Sequence, residues 1–251
     1  MKLSYQPIDG TLALIDGDIL TYRIGFTTQE EEEWVALARV NTYIDNILFD
    51  SNASDYIIYL TGDNNYRKHL YPEYKMNRVQ ARPKHYQAIR DYLVKHEQAE
   101  IQEDQEADDA MGIKQMAMAE KVYEDGEWLT DYRSIICSID KDLYQIPGRH
   151  YNFVNSKRVF VTPDEGLAFF YQQLLTGDRV DNIPGLPKVG PVKAKKILGD
   201  WVDEATTQEK VIQAYRQYLS MDEGAARERI NLIGKLLWIR KEEGQLWQLI
   251  P

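Results

Sequence analysis

Three short apolar runs divide the first part of the chain into alternating elements. Leu12–Ile15, Tyr56–Leu60 and Ser134–Ile139 are continuous and rich in β-branched or aromatic residues, which is typical of strands covered on both faces. Longer segments with helical character, Glu33–Leu48 and Ala107–Tyr123, lie between these runs. This alternation of strands and helices predicts an α/β fold with a parallel sheet.

The pattern changes after residue 150. Residues 151–154 and 158–161 flank Asn155–Lys157, and together they predict a β-hairpin. A helix start follows at Thr162–Glu165, which combines a Thr cap, a Pro at the first helical position and a Glu three residues after the cap. The chain therefore leaves its sheet with a hairpin and continues as a helix.

The remainder of the chain has helical character as far as Leu237. A Gly/Pro-rich turn from Ile183 to Pro191 interrupts it, and a second helix follows at Val192–Leu198. We therefore expect an α/β core over residues 1–161 and a helical region over residues 162–251.

Composition limits the location of the protein. The 251 residues are 43% hydrophobic and 28% charged, which is ordinary for a globular protein. The chain has no apolar run of about 18 residues, and its first ten residues lack the pattern of a secretory signal. Cys137 is the only cysteine and is expected to be buried in the core. These features predict no membrane contact and a reducing, cytoplasmic setting.

The charge of the chain is unevenly distributed. The net charge is −10, and a uniformly acidic surface would repel phosphate. However, residues 65–95 contain eight Lys/Arg against two acids, and residues 188–196 contain four Lys and no acid. We call these segments the first and second basic islands. An acidic chain with two basic islands is suited to holding metal ions with carboxylates and phosphate with cations.

Three predicted strands are each followed by an aspartate. Asp16 follows the first strand, Asp63 lies just past the second, and Asp140 ends the third. In an open parallel sheet, ligand sites lie at the carboxyl ends of the strands, so these side chains are expected to converge. For any one of them, a surface aspartate at a strand end is the simpler interpretation, but for all three together we favour a site.

Further carboxylates are closely spaced along the chain. Crowded carboxylates repel one another unless cations neutralise them. A set of oxygen ligands with no His or Cys favours Mg²⁺ or Mn²⁺ over zinc, and two such ions can support phosphodiester hydrolysis. The nine candidates for metal binding are Asp16, Asp63, Glu106, Asp108, Asp109, Asp140, Asp142, Asp178 and Asp181.

The two basic islands are candidates for contact with nucleic acid. Tyrosines alternate with cations in the first island, a mixture that suits a groove for single-stranded nucleic acid, although a solvated helix face is an equal alternative. The glycine turn at residues 183–191 can approach a phosphate closely, although many such turns are only loops. The DNA-binding candidates are Arg67, Lys68, Tyr74, Arg82, Lys84, Gly185, Lys188, Gly190, Lys193, Lys195 and Lys196.

Five segments of the sequence resemble the 5′-nuclease (flap endonuclease) family, in particular the stand-alone 5′→3′ exonucleases of bacteriophages. They occur in the family's order and are Leu14–Gly17, Leu70–Arg78, Glu106–Asp109, Ser138–Asp142 and Gly177–Gly190. The resemblance implies a parallel-sheet nuclease core with a helical arch at about residues 64–100 and a helix–three-turn–helix at about residues 176–198. It further implies that Lys75 and Arg78 meet the scissile phosphate.

The resemblance also implies ligands and partners. Two Mg²⁺ ions, replaceable by Mn²⁺, are expected, with a K⁺ ion at the helix–three-turn–helix. Glu106, Asp108, Asp140 and Asp142 would surround the tighter metal, with Asp16, Asp63 and Asp109 nearby, whereas Asp178 and Asp181 would complete a weaker site. The implied substrate is DNA with 5′ ends, flaps or forks, with RNA primers as an open alternative. We expect a monomer, in the host cytoplasm if the chain is phage-encoded, with no clear sliding-clamp motif.

Two other functions compete with this interpretation. Asp16-Gly17-Asp18 after a strand resembles a haloacid dehalogenase-type phosphatase, but Leu20 stands where that family has Thr or Val. A non-catalytic, structure-specific DNA-binding protein is the second alternative. The four histidines lack metal-ligand spacing, and we expect them to be structural: His69, His85, His96 and His150.

Overall fold

A six-stranded sheet lies at the centre of the computed structural model, which describes residues 10–78, 81–124 and 127–250. Residues 1–9, for which the sequence predicts no secretory signal, lie outside these ranges. The strands are β1 (Leu12–Asp16), β2 (Asp55–Thr61), β3 (Glu100–Gln102), β4 (Ala119–Glu124), β5 (Glu127–Tyr132), β6 (Ser134–Cys137), β7 (Gly148–Asn152), β8 (Lys157–Val161), β9 (Gly177–Asp178) and β10 (Ile183–Pro184).

Helices cover the sheet and form the second half of the chain. In the described ranges they are α1 (Gly17–Thr27), α2 (Glu33–Ser51), α3 (Tyr66–Leu70), α4 (Tyr86–His96), α5 (Ala107–Ala117), α6 (Pro163–Thr176), α7 (Pro191–Leu198), α8 (Glu204–Leu219) and α9 (Glu223–Leu237), with a 3₁₀ turn at Asp142–Gln145. None of these helices is both long and apolar enough to cross a bilayer.

The predicted parallel sheet is confirmed. Its order is β3-β2-β1-β6-β7-β8, and every neighbouring pair is parallel except β7 with β8. The three apolar runs seen in the sequence pair at its centre, where Ile15 is in register with both Ile58 and Cys137. Cys137 is fully buried, as predicted.

Successive residues of these strands face opposite layers of the core. Ile15 and Cys137 pack with residues of α1, α2 and α4, such as Ile24. Leu14 and Ile136 pack on the other face with Met111 of α5 and its neighbours. Because both faces of the central strands are covered, the apolar runs are continuous rather than alternating.

The predicted helix over residues 107–123 is wrong in its last part. α5 ends at Ala117, and the chain then forms β4, which pairs antiparallel with β5 as a separate two-stranded sheet. Intrinsic helix propensity is a weak guide, and the six cross-strand pairs of this hairpin override it. By contrast, the hairpin of β7 and β8 is confirmed, although β7 begins three residues earlier than the alternating pattern indicates.

The second half of the chain is helical, as predicted. Thr162 caps α6 by accepting from the Glu165 amide, and the Glu165 carboxylate accepts from the Thr162 amide (2.8 Å). Helices α6 to α9 pack around a large apolar cluster that includes Phe170 and Ile230. Trp247 joins this cluster by lying against Gly234, where any side chain would collide with its ring. The division into domains at residue 161 stays a prediction.

Candidate metal and DNA site

Two neighbouring strands bring their carboxylates together through one serine. β1 ends at Asp16, whose Oδ1 caps α1 by accepting from the Ile19 amide (2.9 Å). β6 ends just before Ser138, whose hydroxyl donates to Asp16 Oδ2 (2.7 Å) and accepts from the Asp140 amide (3.0 Å). The two carboxylates therefore lie at the same edge of the sheet, where parallel sheets bind ligands.

The start of α5 adds further carboxylates to this edge. Glu106 is the N-cap of α5, and Asp108 lies in its first turn. Both line a cavity of about 520 Å³ together with Asp16, Asp140 and Asp63. Lys75, Arg78, Lys68 and Arg82 line the same cavity. The structure thus brings five of the predicted metal ligands and both predicted catalytic cations around one opening.

Burial and mutual repulsion raise the pKa values of these acids. Burial, followed by the charge of Asp18, raises the pKa of Asp16 to about 7. Burial and the charges of Asp16 and Asp140 raise the pKa of Asp108. For Asp142, burial and the charge of Asp140 raise the pKa to about 8. Carboxylates held this closely favour a bound cation, because the cation removes both the repulsion and the cost of burying charge.

The remaining predicted acids adjoin this group through Asp142. The Asp142 side chain accepts from the Gln173 side-chain amide (2.7 Å), and the nearby Asp178 also raises the pKa of Asp142, although less than burial does. Asp178 in turn accepts from the Val180 amide (2.7 Å). Asp181 raises the pKa of Asp140 by its charge, although less than burial does. The acids form a continuous electrostatic group from β1 to the loop after α6.

Two cations of the first basic island are inserted among these acids. The Lys75 ammonium donates to Glu106 and lies 3.5 Å from Asp181. Arg78 pairs with Asp181. Burial alone would raise the pKa of Glu106, but Lys75 and Arg67 more than offset it and lower that pKa to about 2.

The chemistry of the donor set fits a hard divalent cation. All nine predicted ligands are carboxylates, which Mg²⁺ prefers. Across the described ranges, no three metal-binding side chains come close enough together to hold one ion as they are placed. Lys75 and Arg78 are bound to two of the acids in this arrangement. The residues therefore fit such ions in chemistry, and ion binding requires the cations to change partners.

The glycine turn between α6 and α7 lines a second cavity of about 790 Å³. At Gly185 a Cβ would collide with the backbone of Thr176, so this glycine is required by internal packing. Gly190 differs, because a Cβ there would meet no atom within 4 Å. Gly190 is the N-cap of α7, so it lies directly before the free N–H groups of a helix start.

A match to a protein-family model identifies the family to which this chain belongs. The 5′-3′ exonuclease N-terminal, resolvase-like domain matches residues 11–170, which contain the sheet and the carboxylate edge. The chain belongs to the 5′-3′ exonuclease family. It is 32% identical to a 5′-3′ exonuclease of Buchnera aphidicola over 199 residues, covering 71% of this chain. The chain spans 66% of that relative's length.

Solved structures share the fold of this exonuclease family member. One is a complex of the bacteriophage T5 flap endonuclease with DNA and metal ions, at a TM-score of 0.54 and 16% identity, covering 90% of this chain and 95% of that one. Another is the catalytic core of Rad2 with a DNA substrate, at a TM-score of 0.51 and 14% identity, covering 90% and 73%.

In this exonuclease family member, the structure argues against the predicted roles of Arg67 in DNA binding and of Asp109 in metal binding. Arg67 and Asp109 are buried and form a two-pronged ion pair, with distances of 2.6 and 2.9 Å. Arg67 also donates to the carbonyls of Leu236 and Trp238 (2.9 and 2.7 Å). Asp109 accepts from the Arg240 amide as well (3.0 Å). Neither residue is placed to meet DNA or a metal ion, because each is fully engaged inside the protein.

The structure also contradicts the predicted DNA-binding role of Tyr74. For the exposed cations Lys68 and Arg82 the same role stays a prediction. Tyr74 is only 3% exposed and its hydroxyl lies within hydrogen-bond distance of Glu106 (2.9 Å) and Asp181 (3.0 Å), so its ring is not available to stack on a base. Lys68 and Arg82 line the cavity, and Arg82 lies over the Tyr86 ring. Lys84 donates instead to the Glu31 carbonyl (3.3 Å).

The lysines of the second island spread around α7. Lys188 lines the glycine-turn cavity in a left-handed conformation. Lys193 lies over the Tyr218 ring (4.7 Å), and Lys195 lines a groove beside Trp201. Lys196 is exposed on the same helix. The island therefore presents its charge on several sides rather than on one face.

Asp18 and Arg90 were missed as site residues. Arg90 donates to Asp18 (2.6 Å) and to the Thr61 carbonyl (2.9 Å), while Asp18 accepts from the Thr61 amide (2.9 Å). This triangle fixes the end of β2 just before Asp63. The sequence Asp16-Gly17-Asp18 did indicate that Asp18 lies near the site, but it was interpreted as a phosphatase motif. In the structure Asp18 is bound by Arg90, and the family match, rather than this ion pair, disfavours the phosphatase alternative.

The histidines are placed as structural residues. His150 is buried in β7 with Nε2 2.7 Å from the Ile146 carbonyl, and burial lowers its pKa to about 4. His85 is buried with Nε2 2.9 Å from the Glu31 carbonyl. Neither lines the carboxylate cavity.

Proposed function

We propose that this protein is a magnesium-dependent 5′-nuclease that hydrolyses DNA as a 5′→3′ exonuclease or a structure-specific flap endonuclease. The observation that carries the proposal is the convergence of Asp16, Glu106, Asp108 and Asp140 on one cavity that Lys75 and Arg78 also line. Family membership supports this assignment. The T5 flap endonuclease, which shares the fold, has been captured with DNA and metal ions, and Rad2 with a DNA substrate.

The acids of the cavity, together with the neighbouring Asp142, Asp178 and Asp181, would hold two metal ions. Glu106, Asp108, Asp140 and Asp142 are proposed for the tighter site, with Asp16 and Asp63 nearby, and Asp178 and Asp181 for the weaker one. Asp109 is omitted because Arg67 engages it. When bound, the ions supply the positive charge that stabilises a phosphodiester during hydrolysis. Mn²⁺ has the same ligand preference and should replace Mg²⁺.

Lys75 and Arg78 would transfer their contacts from carboxylates to the substrate. Their present partners, Glu106 and Asp181, are proposed metal ligands. When cations neutralise those acids, the ammonium and guanidinium groups become available to a phosphate in the same cavity. A positive charge that meets the phosphate as negative charge develops on it lowers the barrier more than it strengthens binding.

The glycine turn would hold the duplex part of the substrate. Gly190 leaves the start of α7 open, and helix N-termini bind phosphate through their free amides. Such contacts grip the backbone without reading its sequence. A K⁺ ion at this turn, tolerance of RNA primers, a monomeric state and a cytoplasmic location stay predictions.

The proposal is tested by incubating the protein with a 5′-labelled forked duplex and measuring product sizes. Cleavage should require Mg²⁺ or Mn²⁺ and stop in excess chelator, because every proposed ligand is a carboxylate. Full activity in chelator would overturn the metal mechanism. Binding of the fork without cleavage at any Mg²⁺ concentration would favour the non-catalytic alternative.

Two substitutions separate the metal sites. Asp140→Asn should abolish cleavage, because it removes charge from the crowded group of buried acids. Asp181→Asn should mainly raise the Mg²⁺ concentration needed for half-maximal cleavage. Identical Mg²⁺ titrations of the two variants would show that the division of ligands is wrong.

A further inference from the structure

Two turns from distant parts of the chain are bound to each other at the mouth of the carboxylate cavity. The first, residues 71–78, carries Lys75 and Arg78, and we call it the cation turn. The second, residues 178–182, carries Asp178 and Asp181, and we call it the acid turn. The acid turn runs directly into the glycine turn proposed to hold the duplex.

Three hydrogen bonds join the backbone of one turn to the other. The Lys75 amide donates to the Asp181 carbonyl (2.9 Å). The Asn77 side-chain amide donates to the Arg179 carbonyl (2.7 Å). The Asn182 side-chain amide donates in the opposite direction, to the carbonyl of Glu73 (2.8 Å). The two asparagines therefore bracket the single bond made by the backbone of Lys75.

The backbone of both turns adopts a conformation that needs such support. Lys75 has φ of +58° and Asn182 has φ of +59°, which is left-handed and uncommon for residues with a side chain. Conformations of this kind persist when the surrounding contacts determine them, and they cluster at functional sites. The direction in which the Lys75 side chain leaves its turn follows from this backbone conformation.

We propose that Asn77 and Asn182 are positioning residues that hold the Lys75 ammonium in line with the carboxylate cavity. This inference rests on the proposed nuclease function. Neither asparagine lines that cavity, although Asn182 lines the glycine-turn cavity, so neither is placed to meet the scissile phosphate and both can act on it through Lys75. Because Asn182 precedes Ile183 of the glycine turn, the same contacts fix Lys75 relative to the part of the protein that grips duplex DNA.

The exposure of the two side-chain amides favours a positioning role over a stabilising one. Both hydrogen bonds lie at the protein surface, where each contributes little to the free energy of unfolding. The apolar cluster below the turns, which includes Tyr74 and Ile183, is retained in either variant. The asparagines can therefore be replaced without unfolding the chain.

The first experiment measures single-turnover cleavage and DNA affinity separately. Asn77→Ala and Asn182→Ala should each slow cleavage at saturating Mg²⁺ by about tenfold, because a misplaced catalytic group is costly to the rate. Their Kd values for the forked duplex should stay within about twofold, since the cations that hold the strand are unchanged. Asn46→Ala, an exposed change on α2, is the matched control and should leave both quantities unchanged.

The second experiment asks whether the asparagines act through Lys75. In a Lys75→Ala background, Asn77→Ala should cause no further loss of rate, because the group that it positions is already absent. A full tenfold loss in that background would overturn the proposal. Equal rates of Asn77→Ala, Asn182→Ala and the unsubstituted protein would overturn it as well.

The third experiment does not depend on activity, so it separates failure of the inference from failure of the proposed function. Hydrogen exchange of the Lys75 amide reports directly on its bond to Asp181. Both Asn→Ala variants should exchange this amide at least about tenfold faster, while the amides of β1 stay protected. If the Lys75 amide exchanges at the same rate in all variants, the asparagines do not hold the cation turn, whatever the protein cleaves.

Discussion

The two basic islands are both rich in Lys or Arg, but they differ in how many of these side chains are ion-paired within the protein. In the described part of the first island, four cations form ion pairs with carboxylates of the same chain: Arg67, Lys75, Arg78 and Arg90. Arg67, Lys75 and Arg90 are partly or fully buried, whereas Arg78 is exposed. In the second island, none of the four lysines forms an ion pair within the described residues, and Lys193, Lys195 and Lys196 are exposed.

This difference shows that a count of cations overstates the charge that a ligand meets. Arg67 neutralises Asp109 permanently, because both are enclosed by the core. Lys75 and Arg78 neutralise acids that a metal ion would also neutralise, so their charge is available only after an exchange of partners. The lysines of the second island are available at all times. We therefore expect substitution to affect mainly stability at Arg67, mainly catalysis at Lys75, and mainly DNA binding at the lysines of the second island.

Arg67 is expected to show the largest effect on stability. Arg67→Met should lower the free energy of unfolding by about 3–5 kcal/mol, because it leaves a buried carboxylate unpaired. Thermal unfolding measured by circular dichroism checks this, and poor recovery of folded protein is the same result in stronger form. Lys68→Met is the matched control, because Lys68 is exposed, and it should change stability by less than about 0.5 kcal/mol.

The double variant Arg67→Met/Asp109→Leu sharpens this comparison. Replacing both members of a buried pair with apolar residues is often neutral, so much of the lost stability should return. If the double variant is no more stable than Arg67→Met, the ion pair is not the source of the effect. The carbonyls of Leu236 and Trp238 would then be the groups that need Arg67.

Lys75 is expected to show the largest effect on catalysis. Lys75→Ala should lower single-turnover cleavage by about 10²–10³-fold, the loss typical of removing one stabilising contact to a developing charge. DNA affinity should barely change, because other cations of the island still hold the strand. Arg82→Ala, at the edge of the same cavity, should reduce affinity more than rate. Equal, modest effects of both substitutions on binding would mean that these cations are interchangeable.

The second island should give the smallest effect, and one that depends on salt. Lys193→Ala with Lys196→Ala should weaken duplex binding and reduce the slope of log K against log[salt] by about 0.9 for each lost phosphate contact. Stability should be unaffected, because both residues are exposed on α7. An unchanged slope would place the grip on duplex DNA elsewhere.

Local sequence patterns predicted the central sheet because its strands are specified by burial alone. Leu12–Asp16 and Ser134–Cys137 are apolar on both faces, and that property is visible in the chain without its partners. The hairpin of β4 and β5 was missed because no Gly or Pro separates the end of α5 at Ala117 from Tyr123. The dipeptide Asp125–Gly126, just after this segment in the sequence, was a hairpin signal that could have indicated a strand before it.

Only those site residues whose position follows from local sequence patterns, such as the ends of strands, could be predicted. Asp16 and Asp140 were found because strand ends meet in a parallel sheet. Arg67 was taken for a DNA contact because its partners lie 42, 169 and 171 positions away in the chain. A basic run has the same pattern whether its cations face solvent or core. Tertiary contacts, which spacing does not encode, decide between these outcomes.

The contacts of Arg67 also set the order in which the protein can be completed during synthesis. The arginine lies early in the chain, yet its guanidinium is satisfied only by α5 and by the carbonyls that end α9. Domains fold as units as they leave the ribosome, and contacts between distant positions form slowly. A nascent chain that stops before Leu236 therefore has Asp109 but lacks both carbonyl acceptors of this buried arginine. Arg67 gains its full set of acceptors only after Trp238 has left the ribosome, so the packing beside the carboxylate cavity is completed only then.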